Sequence, residues 1–567
     1  MRGSLDISRA SDFFALSREI AEEFLQSTII VDDLAGLGPY SEVVAGHTTA
    51  VPPPGRRVSS ASEENPEGSE RPAEFAHVPD IETQAHFLNA KTVIDSFARK
   101  GIVCSVLKPE KKEMDRLAGL LSGRAGCADI LVLDWQLDRD NGQWALAILS
   151  SILQRETGRY SGRLRLFAVY TGLQNVQRIA GTVKVTLEAE TGIRFEQDGD
   201  LALGWPGGRI VVLAKQGTGV PDHYRANEVP FEDLAERLTV EFTTLTAGLV
   251  SNVVVEALAR VRNNASRILR NFSDGLDAPY LSHRFMLAEP TNAEAFLTAL
   301  VAEELLGILE GADVGSKAGI AAIQAWLAAK KFTGFSLRDG EKKLEFSVEH
   351  VLSVLRHGLK NQTGIDISKS KLDELDKDIH RKDLTRFFEG NSGGTELDER
   401  FSHITMMRAC YDKTRPTLTL GTVVQDADDA DKFYVCVQPR CDSVRLDGPR
   451  CFPFLPLKLV QRESNEPFDT LVRDGAGYRR LRGSRKPRDL RLIRFQPGAN
   501  SHGVIQALED GECYYFEDAS EPKKKYRWMG ELRREQALRL SDDFAAVFGR
   551  VGLDEYEWLR RWAGKRG

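Results

Sequence analysis

Apolar and polar positions in the first 230 residues fall into blocks of two periods. Residues 11–26 repeat at helical spacing and run into "STIIVDD" (27–33), a short aliphatic run that ends on two aspartates. Four more continuous apolar runs follow: "IVCSVLK" (102–108), "ADILVLD" (128–134), "LRLFAVYTG" (164–172) and "GRIVVLAKQG" (208–217). Runs of this length and β-branched content predict strands buried on both faces, as in a parallel sheet. Between them "NAKTVIDSFARKG" (89–101), "EMDRLAGLLSG" (113–123), "QWALAILSSILQRE" (143–156) and the start of "LQNVQRIAGTVKVTLEAETG" (173–192) have helical spacing. Five strands alternating with helices predict an α/β fold with a doubly wound, five-stranded parallel sheet over residues 1–230.

One block breaks this pattern. "VPPPGRRVSSASEENPEGSERPAE" (51–74) has almost nothing to bury, and predicts a disordered insertion at about 48–80. After Phe231 the spacing is helical to about residue 388. Residues 231–272 form one helix or two broken near Gly248, with an apolar stripe assigned to packing or to a homodimer. Further helices are expected near 292–311 and 316–331, and "EGNSGGTELDE" (389–399) as a linker. Short runs then predict strands: "TLTLGTVVQ", "KFYVCVQP", "FLPLKLV", "RLIRF", "GVIQAL" and "CYYFED". They define a β-rich C-terminal domain, 397–567, closed by helices at about 531–548 and 553–563.

Composition changes this picture little. A length of 567 residues allows several domains. A net charge of -7 gives no global reason to expect nucleic acid or an anionic membrane as partner. No apolar run approaches the ~20 residues needed to span a bilayer, and the N-terminus lacks an apolar signal segment. Seven scattered cysteines fit a reducing, cytoplasmic setting rather than a disulfide framework. Two local features could carry chemistry of their own. The basic stretches 478–494 and 523–528, with Tyr526 and Trp528, could contact nucleic acid; a solvated face is the plainer reading. Cys436, Cys441 and Cys451 invite a zinc site, but their spacing is loose and no fourth ligand stands out.

The stronger chemical signal lies at the strand ends. A carboxylate inside a buried strand costs several kcal/mol if unpaired, roughly 2–7 even for a neutral polar group. At the carboxyl end, Asp134 would instead enter the crevice where α/β sheets hold ligands. Taken alone it reads as a turn-starting aspartate. Asp32 and Asp33 end the first strand, Thr171 and Gly172 the fourth, and Lys215 the fifth, so all converge on one edge. Three carboxylates there call for a cation, and hard oxygen donors suit Mg²⁺. A hydroxyl and an ammonium beside it match the needs of a phosphoryl group transferred to a carboxylate.

In these motifs the chain resembles the response-regulator receiver domain. "IIVDDL" is similar to the family's acidic first strand and "ILVLDWQLDRDNG" to its phosphoacceptor strand and loop. "VYTG" resembles the strand bearing the switch residue, and "VVLAK" the lysine strand. The resemblance implies that Asp32, Asp33, Asp134 and the Gln136 carbonyl hold Mg²⁺. It also implies that Asp134 accepts the phosphoryl group, that Thr171 follows its oxygen, and that Lys215 pairs with it. Three features depart from the family: the insertion after Asp33, the long segment between Thr171 and Lys215, and Gln216 where proline is usual. "YVCVQPRCDSVRL", "FPFLPLKL" and "RVGLDEYEWLRR" further resemble large bacterial response receiver domain proteins. That likeness implies a histidine-kinase-like ATPase as phosphodonor, and a setting in phage defence. The expectation is thus a two-component response regulator. A degenerate receiver serving as a protein-binding scaffold and a nucleic-acid-acting C-terminal effector are the alternatives.

Overall fold

The computed structural model describes residues 11–37, 87–123, 127–156, 162–287, 292–339 and 342–359. From 367 to 548 it describes all but 368, 377–383, 390–393, 409–414, 463, 465, 476, 500, 502 and 512. The insertion expected at 48–80 and the closing helix expected at 553–563 lie outside the described residues. Two compact units divide the chain. One is Met1–Thr333 with Ser347–Thr363, and the other Gly334–Phe346 with Gly364–Gly567.

The first unit opens with α1 (Asp12–Phe24), where the Ser11 side chain accepts the Phe14 N–H at the N-cap. Strand β1 (Ser27–Val31) follows, then α2 (Ala90–Ala98), β2 (Val103–Leu107), α3 (Met114–Ser122) and β3 (Ile130–Leu133). Next come α4 (Gln143–Glu156), β4 (Arg165–Thr171) and α5 (Val176–Thr191), which ends on Gly192 in the left-handed region. The segment from there to Lys215 holds β5 (Glu196–Gln197), β6 (Ala202–Trp205) and β7 (Gly208–Lys215), and β8 (Glu228–Val229) follows.

The sheet is eight-stranded and mixed rather than five-stranded and parallel, with order β2-β1-β3-β4-β7-β6-β5 and β8 beside β7. The five expected strands form its parallel core. The long segment before Lys215 adds the antiparallel pair β5–β6, anchored where Trp205 stacks on Phe167. Two- to four-residue strands like these carry too little pattern to be read in sequence. Every residue of β3, β4 and β7 is buried, because helices cover both faces. Alternate strand residues divide between two cores. Leu131, Phe167, Val169 and Val212 pack with α4 and α5, while Val132, Ala168, Tyr170 and Leu213 pack with α1, α2 and α6 (Leu234–Thr246).

The apolar stripe beyond Phe231 is two helices. α6 and α7 (Leu249–Asn263) meet at Gly248 with a bend of 119°. No single helix among the described residues is long and apolar enough to cross a membrane. Helices at Asn292–Gly311 and Ile320–Ala329 lie where helical spacing places them.

The second unit contains a hairpin, Phe335–Asp339 with Lys342–Phe346, inside a stretch expected to be helical. Its main feature is a nine-stranded antiparallel sheet. That sheet includes Thr470–Asp474, where no strand was expected, and the strands Gly477–Gly483 and Lys525–Glu531, which overlap basic stretches that read as a solvated face. In the last, Tyr526, Trp528 and Gly530 are buried while Lys525 faces water, a two-residue period masked by lysines and arginines. The expected linker is helical from Gly394 to Met406. Its Glu399 is buried between Arg462 and Arg480, at 2.8 and 3.1 Å, so a tertiary ion pair turns a loop-like charge into a packed one.

Candidate functional site

β1 and β3 run in register with Val31 opposite Leu133, so Asp32 and Asp134 leave the sheet side by side. The backbone keeps both in line: the Asp134 N–H donates to the Val31 carbonyl and the Asp32 N–H to the Leu107 carbonyl. Thr171 ends β4 opposite Ala214, one residue before Lys215 ends β7. The five predicted side chains therefore share the carboxyl edge of the parallel core.

Lys215 is fully buried, and its Nζ bridges Asp134 Oδ2 at 2.6 Å and Asp32 Oδ2 at 2.7 Å. The other oxygens of these carboxylates are held by backbone: Asp134 Oδ1 accepts the Gln136 N–H, and Asp32 Oδ1 the Leu34 N–H. Asp33 is half-buried. Its Oδ2 accepts the Asp138 N–H, whereas its Oδ1 is buried with no hydrogen-bond partner. One oxygen from each of Asp32, Asp33 and Asp134 lies within 4.8 Å of the others, the one such acidic, His or Cys group among the described residues. The Thr171 Oγ1 accepts the Leu173 N–H, and the Gln136 carbonyl the Arg139 N–H.

Three carboxylates around one ammonium leave the edge negative. Burial, opposed by Lys215 and reinforced by Asp134, pushes the Asp32 carboxyl up to about 7. Burial also raises Asp33, against the hydrogen bond from Asp138. Burial alone would lower Lys215, but Asp134 and Asp32 outweigh it and hold the ammonium above its ordinary range. The unpartnered Asp33 oxygen and the surplus charge fit a hard divalent cation among oxygen donors.

The loop after Asp134 is shaped by backbone that few side chains tolerate. Asp138, Arg139 and Asn141 have positive φ. Gly142 lies at φ +87°, where a Cβ would stand 2.3 Å from the Trp135 ring. Asp140 closes the loop by accepting the Gly142 and Trp144 N–H groups at the start of α4. The motif "ILVLDWQLDRDNG" takes in Gly142, but sequence reading gave no role to Asp138 or Tyr170, whose roles depend on contacts distant in the chain.

The other two candidate features do not assemble into sites. Tyr526 and Trp528 are buried, which withdraws them from base stacking. Most of the nearby arginines face acids: Arg479 with Asp474, Arg480 with Glu399, and Arg485 with Asp543. Cys436 is a buried strand residue whose thiol is pushed up to about 12 by burial, while Cys441 and Cys451 are exposed. Neither belongs with it to a metal-binding group among the described residues.

A parallel sheet with paired acids, a central aspartate and a buried lysine at its carboxyl edge defines a receiver-type signalling module. The family model described as response receiver domain matches residues 24–220, and the chain contains a response receiver domain over that stretch. A response-regulator-like function in a two-component system follows, with a phosphodonor partner such as a histidine kinase. No curated protein and no solved structure gave a match.

Proposed function

We propose that Asp134 accepts a phosphoryl group from a histidine-kinase-like partner, and that the chain relays this state as a response regulator. The observation that carries the reading is Lys215 Nζ held between Asp134 and Asp32 at the buried sheet edge. An Asp134 oxygen forms the new P–O bond as the bond from phosphorus to the donor breaks. The donor leaves with that electron pair, and a histidine donor then takes a proton from solvent. Lys215 balances charge on the phosphoryl oxygens, and the Gln136 N–H fixes the plane of the nucleophile. Thr171 supplies a hydroxyl on the neighbouring strand.

Asp32, Asp33, Asp134 and the Gln136 carbonyl are the groups that would hold Mg²⁺. The ion would neutralise charge on the transferring group. Every side chain that the chemistry requires stands at this edge, which favours a competent receiver over a scaffold.

The first test is intact-mass spectrometry after incubation with acetyl phosphate. A labile adduct of ~80 Da that requires Mg²⁺ is expected, and its absence with the cognate kinase and ATP as well would sink the reading. A second test isolates the metal. Asp33→Asn removes surplus charge, so it should raise Tm in EDTA by about 2–4 °C and cancel the Mg²⁺-dependent rise of the unmodified chain. An unchanged Mg²⁺ response would remove Asp33 from the ligand set.

Val250, Val254 and Leu258 are exposed at four-residue spacing on α7, with exposed Phe285 on the helix Asp277–Met286 and Phe296 on the helix Asn292–Gly311. These residues support a homodimer through the helical region, which sedimentation of the full chain checks. The likeness to large bacterial receiver proteins supports a setting in phage defence.

A further inference from the structure

The acidic edge has a buried neighbour that phosphoacceptor chemistry does not use. Tyr170 precedes Thr171 on β4 and is 1% exposed. Its ring lies under Lys215, with Nζ 5.9 Å from the ring centre. Its hydroxyl donates to the Val229 carbonyl at 2.6 Å, and Val229 is the residue in register with Lys215 across β7 and β8. The ring also meets Phe231 edge-on at 6.4 Å, in the turn that opens α6. One phenol thus touches the cation of the site on one side and the entry to the helical region on the other.

β8 has only two residues, too few to hold by its own ladder. Besides pairing with β7 and the burial of Val229 in the core, it is secured by the Tyr170 hydroxyl and by the Glu228 carboxylate, which accepts the Gly217 N–H. Both supports start from residues within two positions of Thr171 or Lys215. A shift of either residue toward new charge on Asp134 would move the ring, because a close-packed core transmits displacement rather than absorbing it. The hydroxyl would then leave a buried carbonyl unpaired or pull β8 along with it.

On the phosphoacceptor reading above, we propose that Tyr170 is a positioning residue that supports Lys215 and passes the state of the acidic edge to β8 and α6. A core tyrosine whose hydroxyl merely found the nearest carbonyl would lack this coupling. Hydrogen exchange by mass spectrometry on the full chain separates the two, using Tyr170→Phe, which keeps the ring and removes the hydroxyl. With Mg²⁺ and acetyl phosphate, and with the adduct on Asp134 driven to completion, exchange at 228–246 should change by about fivefold in the unmodified chain. In Tyr170→Phe carrying the same adduct, that change should be lost. Retention of the change in Tyr170→Phe, or no change in the unmodified chain, overturns the proposal. If no adduct forms at all, the phosphoacceptor reading fails and the coupling is read from Lys215→Met instead. That substitution should alter exchange at 228–246 in the unmodified background and leave it unaltered with Tyr170→Phe; equal changes in both overturn the coupling.

Discussion

Asp134→Asn abolishes the labile adduct, with loss of all signal rather than a partial reduction. The asparagine carbonyl can still accept the Gln136 N–H, so the loop and the backbone of the site keep their support. What disappears is the anionic oxygen that forms the P–O bond, and an amide oxygen is too weak a nucleophile to replace it. The same substitution removes one of three crowded carboxylates, so the variant should unfold at a denaturant concentration no lower than the unmodified chain. Intact mass and urea denaturation, measured together, check the expectation. An adduct of equal stoichiometry on the variant would place the phosphoacceptor elsewhere.

Lys215→Met carries the largest expected cost in stability. It removes the buried cation and leaves Asp32 and Asp134 facing each other with backbone N–H groups alone, at a cost of about 3–5 kcal/mol near neutral pH. The pH dependence has a definite sign. A carboxyl whose folded value is raised retains a proton that the unfolded chain has released, so stability falls as pH rises across that interval. For Asp32 the interval runs from 3.8 to about 7, and losing Lys215 widens it. The cost of Lys215→Met, measured by urea denaturation in EDTA, should therefore be small near pH 5 and large near pH 8. Asp32→Asn in the same chain should recover part of the loss at pH 8. A cost independent of pH would mean that Lys215 does not neutralise these carboxylates.

Much of the site was legible because it sits at the ends of strands whose apolar runs announce them. Asp32, Asp134 and Lys215 each follow a continuous buried run, and a parallel sheet brings such ends to one edge whatever the intervening sequence. The sequence of the output region was less transparent. Lys525–Glu531 read as basic surface because lysine and arginine occupy the solvent face of a strand whose other face holds Tyr526 and Trp528. Glu399 read as linker until two arginines closed on it.

By itself, the order of residues determined the parallel core, its helices, and the aspartates and lysine that meet at its edge. These rest on local periodicity and on which residue follows a buried run, both of which are properties of neighbours in the chain. Tertiary structure alone decided that Lys215 bridges Asp32 and Asp134, that Asp33 keeps a free oxygen, and that Tyr170 reaches Val229. Hydrogen bonds between residues separated by 59 to 183 positions leave no periodic trace, because their partners are chosen by packing in space.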